Sequence, residues 1–236
     1  MGIKNSRLLK RNRECRTGSI LMVGLDGAGK TMIANKLMNK EVIDITPTVG
    51  YTRTLNAYRC KKYIFLIFDV GGQERGRNLW YEILKSIDGS LKGLIFVVDS
   101  SDVERIPEAR EFLRKILLAF QYVQDPMVPV LVIANKQDVP WALPKDRIAE
   151  RLQITNFRLY TPSGCCVLGA SARNGESLHA AMCKLCDMIR AYEKWLAERS
   201  EGSKRQWMVQ AIMRPQALLH EAVENLICKL FEYNDF

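Results

Sequence analysis

Histidine is nearly missing from this chain, with only His179 and His220 among 236 residues. The seven cysteines (Cys15, Cys60, Cys165, Cys166, Cys183, Cys186 and Cys228) therefore lack histidine support at any metal-ligand spacing, and an odd set of this kind reads as reduced thiols. Cys183 and Cys186 form a C-x-x-C pair inside a helical pattern, where two small apolar residues on one face are favoured over a redox centre. Long apolar runs are absent too. The stretch Gly93 to Val98 stops at Asp99, far short of the roughly 20 residues a membrane-spanning helix needs. No apolar segment follows the opening Met-Gly-Ile-Lys-Asn-Ser, which argues against a secretory signal and for the cytosol. Internal repeats and low-complexity tracts are also lacking.

A hydrophobic content of 47% and a charged content of 26% are ordinary for a globular chain, and the length suits one domain plus an appendage. The formal net charge of +9 is uneven. Between residues 2 and 16, Lys4, Arg7, Lys10, Arg11, Arg13 and Arg16 face only Glu14, a local excess of +5. Such an arm suits an anionic surface, membrane or nucleic acid. Interleaved aromatics and a recognisable nucleic-acid module are missing, so nucleic acid is not expected.

Hydrophobic periodicity predicts a strand over 19–24, a helix over 31–39, and a hairpin of strands over 51–60 and 63–68. Helices over 73–86, 103–120, 144–152 and 177–196 then alternate with strands over 94–98, 128–134 and 167–169. That order predicts an α/β fold, a mostly parallel sheet with helices on both faces. Three regions follow: a basic arm over 1–18, a domain over 19–196, and an extension over 197–236 opening on a polar hinge, 197–205. In the extension, apolar pairs from Leu218/Leu219 to Leu230/Phe231 recur every four residues, predicting an amphipathic helix. Its charges from Lys204 onward cancel, so this helix is expected to pack on its own domain or on a protein partner rather than on anionic lipid.

Three segments carry chemistry. Gly24-Leu-Asp26-Gly27-Ala28-Gly29-Lys30-Thr31 fits G-x-x-x-x-G-K-[ST] between a strand and a helix. Loop N–H groups and the helix N-terminus would hold phosphate, Lys30 would reach the β- and γ-phosphates, and Thr31 would ligate Mg²⁺. Asn135-Lys136-Gln137-Asp138 follows a strand, and the Asp138 carboxylate can accept from the N1–H and exocyclic amine of guanine, a donor pair adenine does not present. The backbone of Ser171-Ala172-Arg173 could cap the guanine carbonyl, which makes GTP and GDP the expected ligands. In Asp69-Val-Gly-Gly72-Gln73, Asp69 could hold Mg²⁺ through water, Gly72 could offer its N–H to the γ-phosphate, and Gln73 could orient the attacking water. Thr48 could reach the metal and γ-phosphate only when that phosphate is present, so its loss would release both segments. Gln73, Lys30 and Thr48 are the expected catalytic residues.

Taken together, GLDGAGKT, TPTVG, DVGGQE and NKQD resemble the Arf family of small GTPases over about residues 19–196. Asp26 and the double glycine before Gln73 point there. The resemblance implies a Ras-like six-stranded sheet, exchange factors, activating proteins that supply an arginine, and effectors of the GTP form. No arginine stands in the phosphate loop, so slow unaided hydrolysis is expected. Gly2 with Ser6 fits the M-G-x-x-x-[ST] myristoylation pattern, and one acyl chain with the basic arm makes two membrane signals. The expected setting is peripheral, on the cytosolic face of a Golgi, endosomal or plasma membrane, in vesicle traffic or related signalling. Phe68 stands where the family usually has tryptophan, and cations interrupt the apolar residues of the arm. The competing expectation is a GTP-bound scaffold that scarcely cycles and binds one partner through its C-terminal helix.

Overall fold

The computed structural model describes residues 16–38, 51–52, 57–70, 91–123, 128–157 and 164–203. Its strands are β1 (Arg16–Val23), β2 (Tyr51–Thr52), β3 (Ala57–Cys60), β4 (Tyr63–Val70), β5 (Leu91–Asp99), β6 (Val130–Asn135) and β7 (Cys165–Gly169). The helices are α1 (Lys30–Leu37), α2 (Ile106–Val123), α3 (Lys145–Arg151), the single turn α4 (Ile154–Phe157) and α5 (Leu178–Ser203).

These strands form one sheet in the order β2-β4-β1-β5-β6-β7, with β3 also paired to β4. The pairs β1–β4, β1–β5, β5–β6 and β6–β7 are parallel, whereas β2 and β3 run antiparallel to β4. Because β1 lies along β4 from Tyr63 to Asp69, β2 and β3 share its other edge. The seven segments thus fill the six positions expected of a Ras-like sheet.

The central strands are apolar on both faces because both are covered. In β1, Leu21 and Val23 point into one core with Phe96, Val132 and the α2 residues Leu113 and Ile116. Ile20 and Met22 point into the other, with Ile95, Ile133, Ile33 of α1 and Leu185 of α5. Burying one such aliphatic side chain contributes about 1.5–3 kcal/mol, so these two layers hold the strand ends in place.

Several boundaries differ from the periodicity. Strand β1 begins at Arg16 rather than Ser19, because Arg16, Thr17 and Gly18 pair with Tyr63, Ile64 and Phe65. The last three residues assigned to the arm are therefore sheet. Arg16 also forms an ion pair with Glu193 of α5, which accepts from the Tyr63 hydroxyl at 3.0 Å and lies 3.2 Å from Lys92 Nζ. Helix α5 runs on to Ser203 through most of the expected hinge; Ala197-Glu-Arg is good helix-forming sequence despite its polarity. The expected helix over 73–86 and the C-terminal amphipathic helix lie outside the described residues. No described helix is long and apolar enough to cross a membrane.

Candidate nucleotide-binding site

Parallel strands deliver their following loops to one rim of the sheet, and the described loops after β1, β6 and β7, together with the end of β4, carry the residues singled out above. The loop after β1 turns at Gly24, whose φ of +150° and whose approach to the Val97 carbonyl leave no room for a side chain: a Cβ there would fall 2.2 Å from that oxygen. Gly29, at φ +93°, caps α1 without a side-chain hydrogen bond, and the first turn contains no acid. No acid competes for the positive end of the helix dipole, which favours an anion there.

Lys30 is buried, and its ammonium donates to the carbonyls of Gly24 at 2.9 Å and Leu25 at 2.8 Å, fixing a positive charge within the loop. Next to it, the Thr31 hydroxyl donates to Asp69 Oδ2 at 2.6 Å. Asp69 lies near the end of β4 and is 2% exposed, and its Oδ1 is buried with no hydrogen-bond partner. Burial pushes its carboxyl above the ordinary value, against the opposing pull of Thr31 and Lys30. An orphaned carboxylate oxygen beside a hydroxyl with lone pairs to offer is the donor set a hard divalent cation takes, so these residues fit Mg²⁺.

Asn135, at the end of β6, ties the loops together. Its Nδ2 donates to the Ala28 carbonyl at 2.8 Å, and its Oδ1 accepts from Ala172 N–H at 2.9 Å. Lys136 follows at φ +65°, and its ammonium pairs with Asp99 at the end of β5. Burial pushes the Asp99 carboxyl up, but Lys136 and two hydrogen bonds from Ser101 outweigh it and hold Asp99 below the ordinary carboxylate range. The Ser171 hydroxyl donates to Asp138 Oδ1 at 2.5 Å, so the carboxylate expected to read guanine is fixed by the loop expected to cap it.

Asp26 pairs with Arg105 at 2.6 Å, which joins the tip of the phosphate loop to the start of α2. The sequence reading missed Asp99 and Arg105. The available signal for Asp99 was its place as the first charge after an apolar strand; Arg105 had none. The structure thus brings Gly24, Asp26, Gly27, Ala28, Gly29, Lys30, Thr31, Asp69, Asn135, Lys136, Asp138, Ser171, Ala172 and Arg173 to one rim. Gly2, Thr48, Gly72 and Gln73 lie outside the described residues.

A doubly wound sheet with a glycine-rich strand-to-helix loop at its carboxyl rim defines a P-loop nucleotide-binding protein. The sequence model of the ADP-ribosylation factor family matches residues 4–189, and the chain belongs to that family. Members are GTPases that bind GTP or GDP with Mg²⁺ and generally hydrolyse GTP. Among solved structures, the chain is similar to the Arl6 BBS3 small GTPase from Trypanosoma brucei, determined with the bound nucleotide analogue GppNp. The TM-score is 0.64 at 27% identity, over 75% of this chain and 99% of that one. The mammalian SRP receptor structure matches at TM-score 0.60 and 21% identity, over 71% of this chain and 99% of that one, a likeness of fold alone.

Proposed function

We propose that this protein is a guanine-nucleotide switch that hydrolyses GTP slowly by itself and recruits effectors in its GTP state. The observation that carries this reading is the double hydrogen bond of Asn135, which joins the phosphate loop at Ala28 to the base-side loop at Ala172. One ligand with a phosphate end and a base end can then engage both loops together. Lys30 and the α1 N-terminus would bind the phosphates, and Asp138 would select guanine over adenine. Thr31, Asp69 and Thr48 would hold Mg²⁺, which supplies charge neutralisation at the phosphate oxygens. Gln73 would orient the attacking water. With no arginine in the phosphate loop, fast turnover needs one supplied in trans by an activating protein, worth roughly 10³ to 10⁵ in rate.

The basic arm and Gly2 support recruitment to an anionic membrane on its cytosolic side, in vesicle traffic or related signalling. The test takes the full-length protein, myristoylated and loaded in parallel with GDP and a non-hydrolysable GTP analogue, and measures sedimentation with anionic liposomes. Stronger binding of the GTP form is expected, whereas equal binding would leave nucleotide controlling protein partners alone. Selectivity is tested by competing fluorescent GDP with GTP and ATP; equal displacement would overturn the guanine reading.

A further inference from the structure

On the helix-covered face away from the nucleotide rim, Cys60 at the end of β3 meets Cys183 of α5 with their sulfurs 3.5 Å apart. The C-x-x-C spacing draws attention to Cys183 and Cys186, yet the fold pairs Cys183 elsewhere. Cys186 is fully buried and turns its thiol toward the Cys60 carbonyl, 3.7 Å away. All three are free thiols. Among the described residues, no group of three histidine, cysteine or acidic side chains could hold a metal ion, so the pair offers thiol chemistry instead.

The surroundings of the two sulfurs differ. Cys60 is 1% exposed, and burial pushes its thiol far up, so it stays protonated. Cys183 is partly exposed, with His179 Nε2 at 3.5 Å from its sulfur. The other ring nitrogen of His179 lies 2.9 Å from the Tyr58 hydroxyl. Burial raises that phenol to about 12, so it keeps its proton at neutral pH. With the phenol donating to Nδ1, the remaining ring N–H faces the Cys183 sulfur. Cys183 is thus the thiol a small oxidant can reach, and Cys60 is the buried thiol poised behind it.

We propose that Cys60 and Cys183 are an oxidisable pair which a peroxide closes into a disulfide, fastening the edge strand β3 to α5. Hydrogen peroxide first transfers one oxygen to Cys183, giving a sulfenic acid and one water. The Cys60 thiol then attacks the Cys183 sulfur, passing its proton to the departing sulfenic hydroxyl as the S–S bond forms. The S–O bond breaks, and its hydroxyl leaves as a second water with the Cys60 proton. Two thiols are oxidised by two electrons in all, and one peroxide is reduced. Closure needs the sulfurs to approach from 3.5 Å to about 2.05 Å. It ties β3, which among the described residues pairs with β4 alone, to α5.

The test uses the full-length protein with Cys15, Cys165, Cys166 and Cys228 changed to serine, treated with hydrogen peroxide, blocked with N-ethylmaleimide, digested and mapped by mass spectrometry. The expected product is a peptide pair joined through Cys60 and Cys183, split by dithiothreitol and absent in Cys183→Ser. Cys60→Ser removes a buried thiol and risks the fold, so the partly exposed Cys183 serves as the deciding variant. The oxidised protein should melt about 5–10 °C above the reduced one. A Cys183–Cys186 link, over-oxidised Cys183 beside unmodified Cys60, or a Cys60–Cys183 link that leaves melting unchanged would each overturn the proposal.

Discussion

A Cβ added to Gly29 would fall 2.4 Å from the side-chain nitrogen of Asn135, the same nitrogen that holds the Ala28 carbonyl. The phosphate loop and the end of β6 are therefore fitted to each other at contact distance. Gly29→Ala must displace Asn135 and also occupy φ +93° with a side chain. Asn135→Ala leaves the Ala28 carbonyl and the Ala172 N–H without their partner, at about 1–3 kcal/mol each when buried. Both variants should release fluorescent GDP at least tenfold faster than the unaltered protein in stopped-flow displacement, and wild-type retention by either would undo the clamp.

Asp69 gives a pH dependence of defined sign. Its folded-state carboxyl is raised by burial, so between the unfolded and folded values the native protein binds more protons. Without nucleotide or metal, stability should fall as pH rises through that window and stay lower above it. Asp69→Asn should therefore raise the melting temperature of the metal-free protein at neutral pH, with the gain fading in acid, while removing the Mg²⁺ dependence of nucleotide retention. Differential scanning fluorimetry across pH, with and without EDTA, reads both effects.

Asp138→Asn should shift preference from guanine to xanthine nucleotides by about a hundredfold or more, since a site built for particular hydrogen-bond donors rejects a mismatch strongly. Competition between GDP and XDP against a fluorescent nucleotide measures it. The Ser171 hydroxyl can still donate to the amide oxygen of the variant, so the fold should be kept.

Gln73→Leu should retain GTP affinity and slow single-turnover hydrolysis at least tenfold, in the range expected for a residue that positions the reacting water. An unaltered rate would remove Gln73 from the mechanism.

Most of the rim was legible because its residues act through backbone geometry and fixed spacing. Glycines at Gly24 and Gly29, a lysine and a hydroxyl at the helix start, and polar residues ending apolar strands each leave a mark in one short window. Partnerships across the fold leave none: nothing near Asp26 points to Arg105, 79 residues further on, and Cys60 lies far in sequence from Cys183. Strand β1 starts early for the same reason, since the polar Arg16 is drawn into the sheet by β4 and α5 rather than by its own hydrophobicity. The end of α5 shows the reverse error, where local polarity suggested a break and helix propensity prevailed.

The ion pair of Arg16 with Glu193 marks the end of the sheet opposite the nucleotide rim. Strand β1 enters at Arg16 and reaches the phosphate loop eight residues later, a span of about 25 Å. Helix α5 travels back the other way, so Glu193 meets that entrance on the rim opposite the nucleotide. A tether attached ahead of Arg16 would grip the domain by its base, turning the guanine pocket outward to the aqueous side. Were the proposed membrane attachment made through such a tether, regulators could reach the bound nucleotide without displacing the protein.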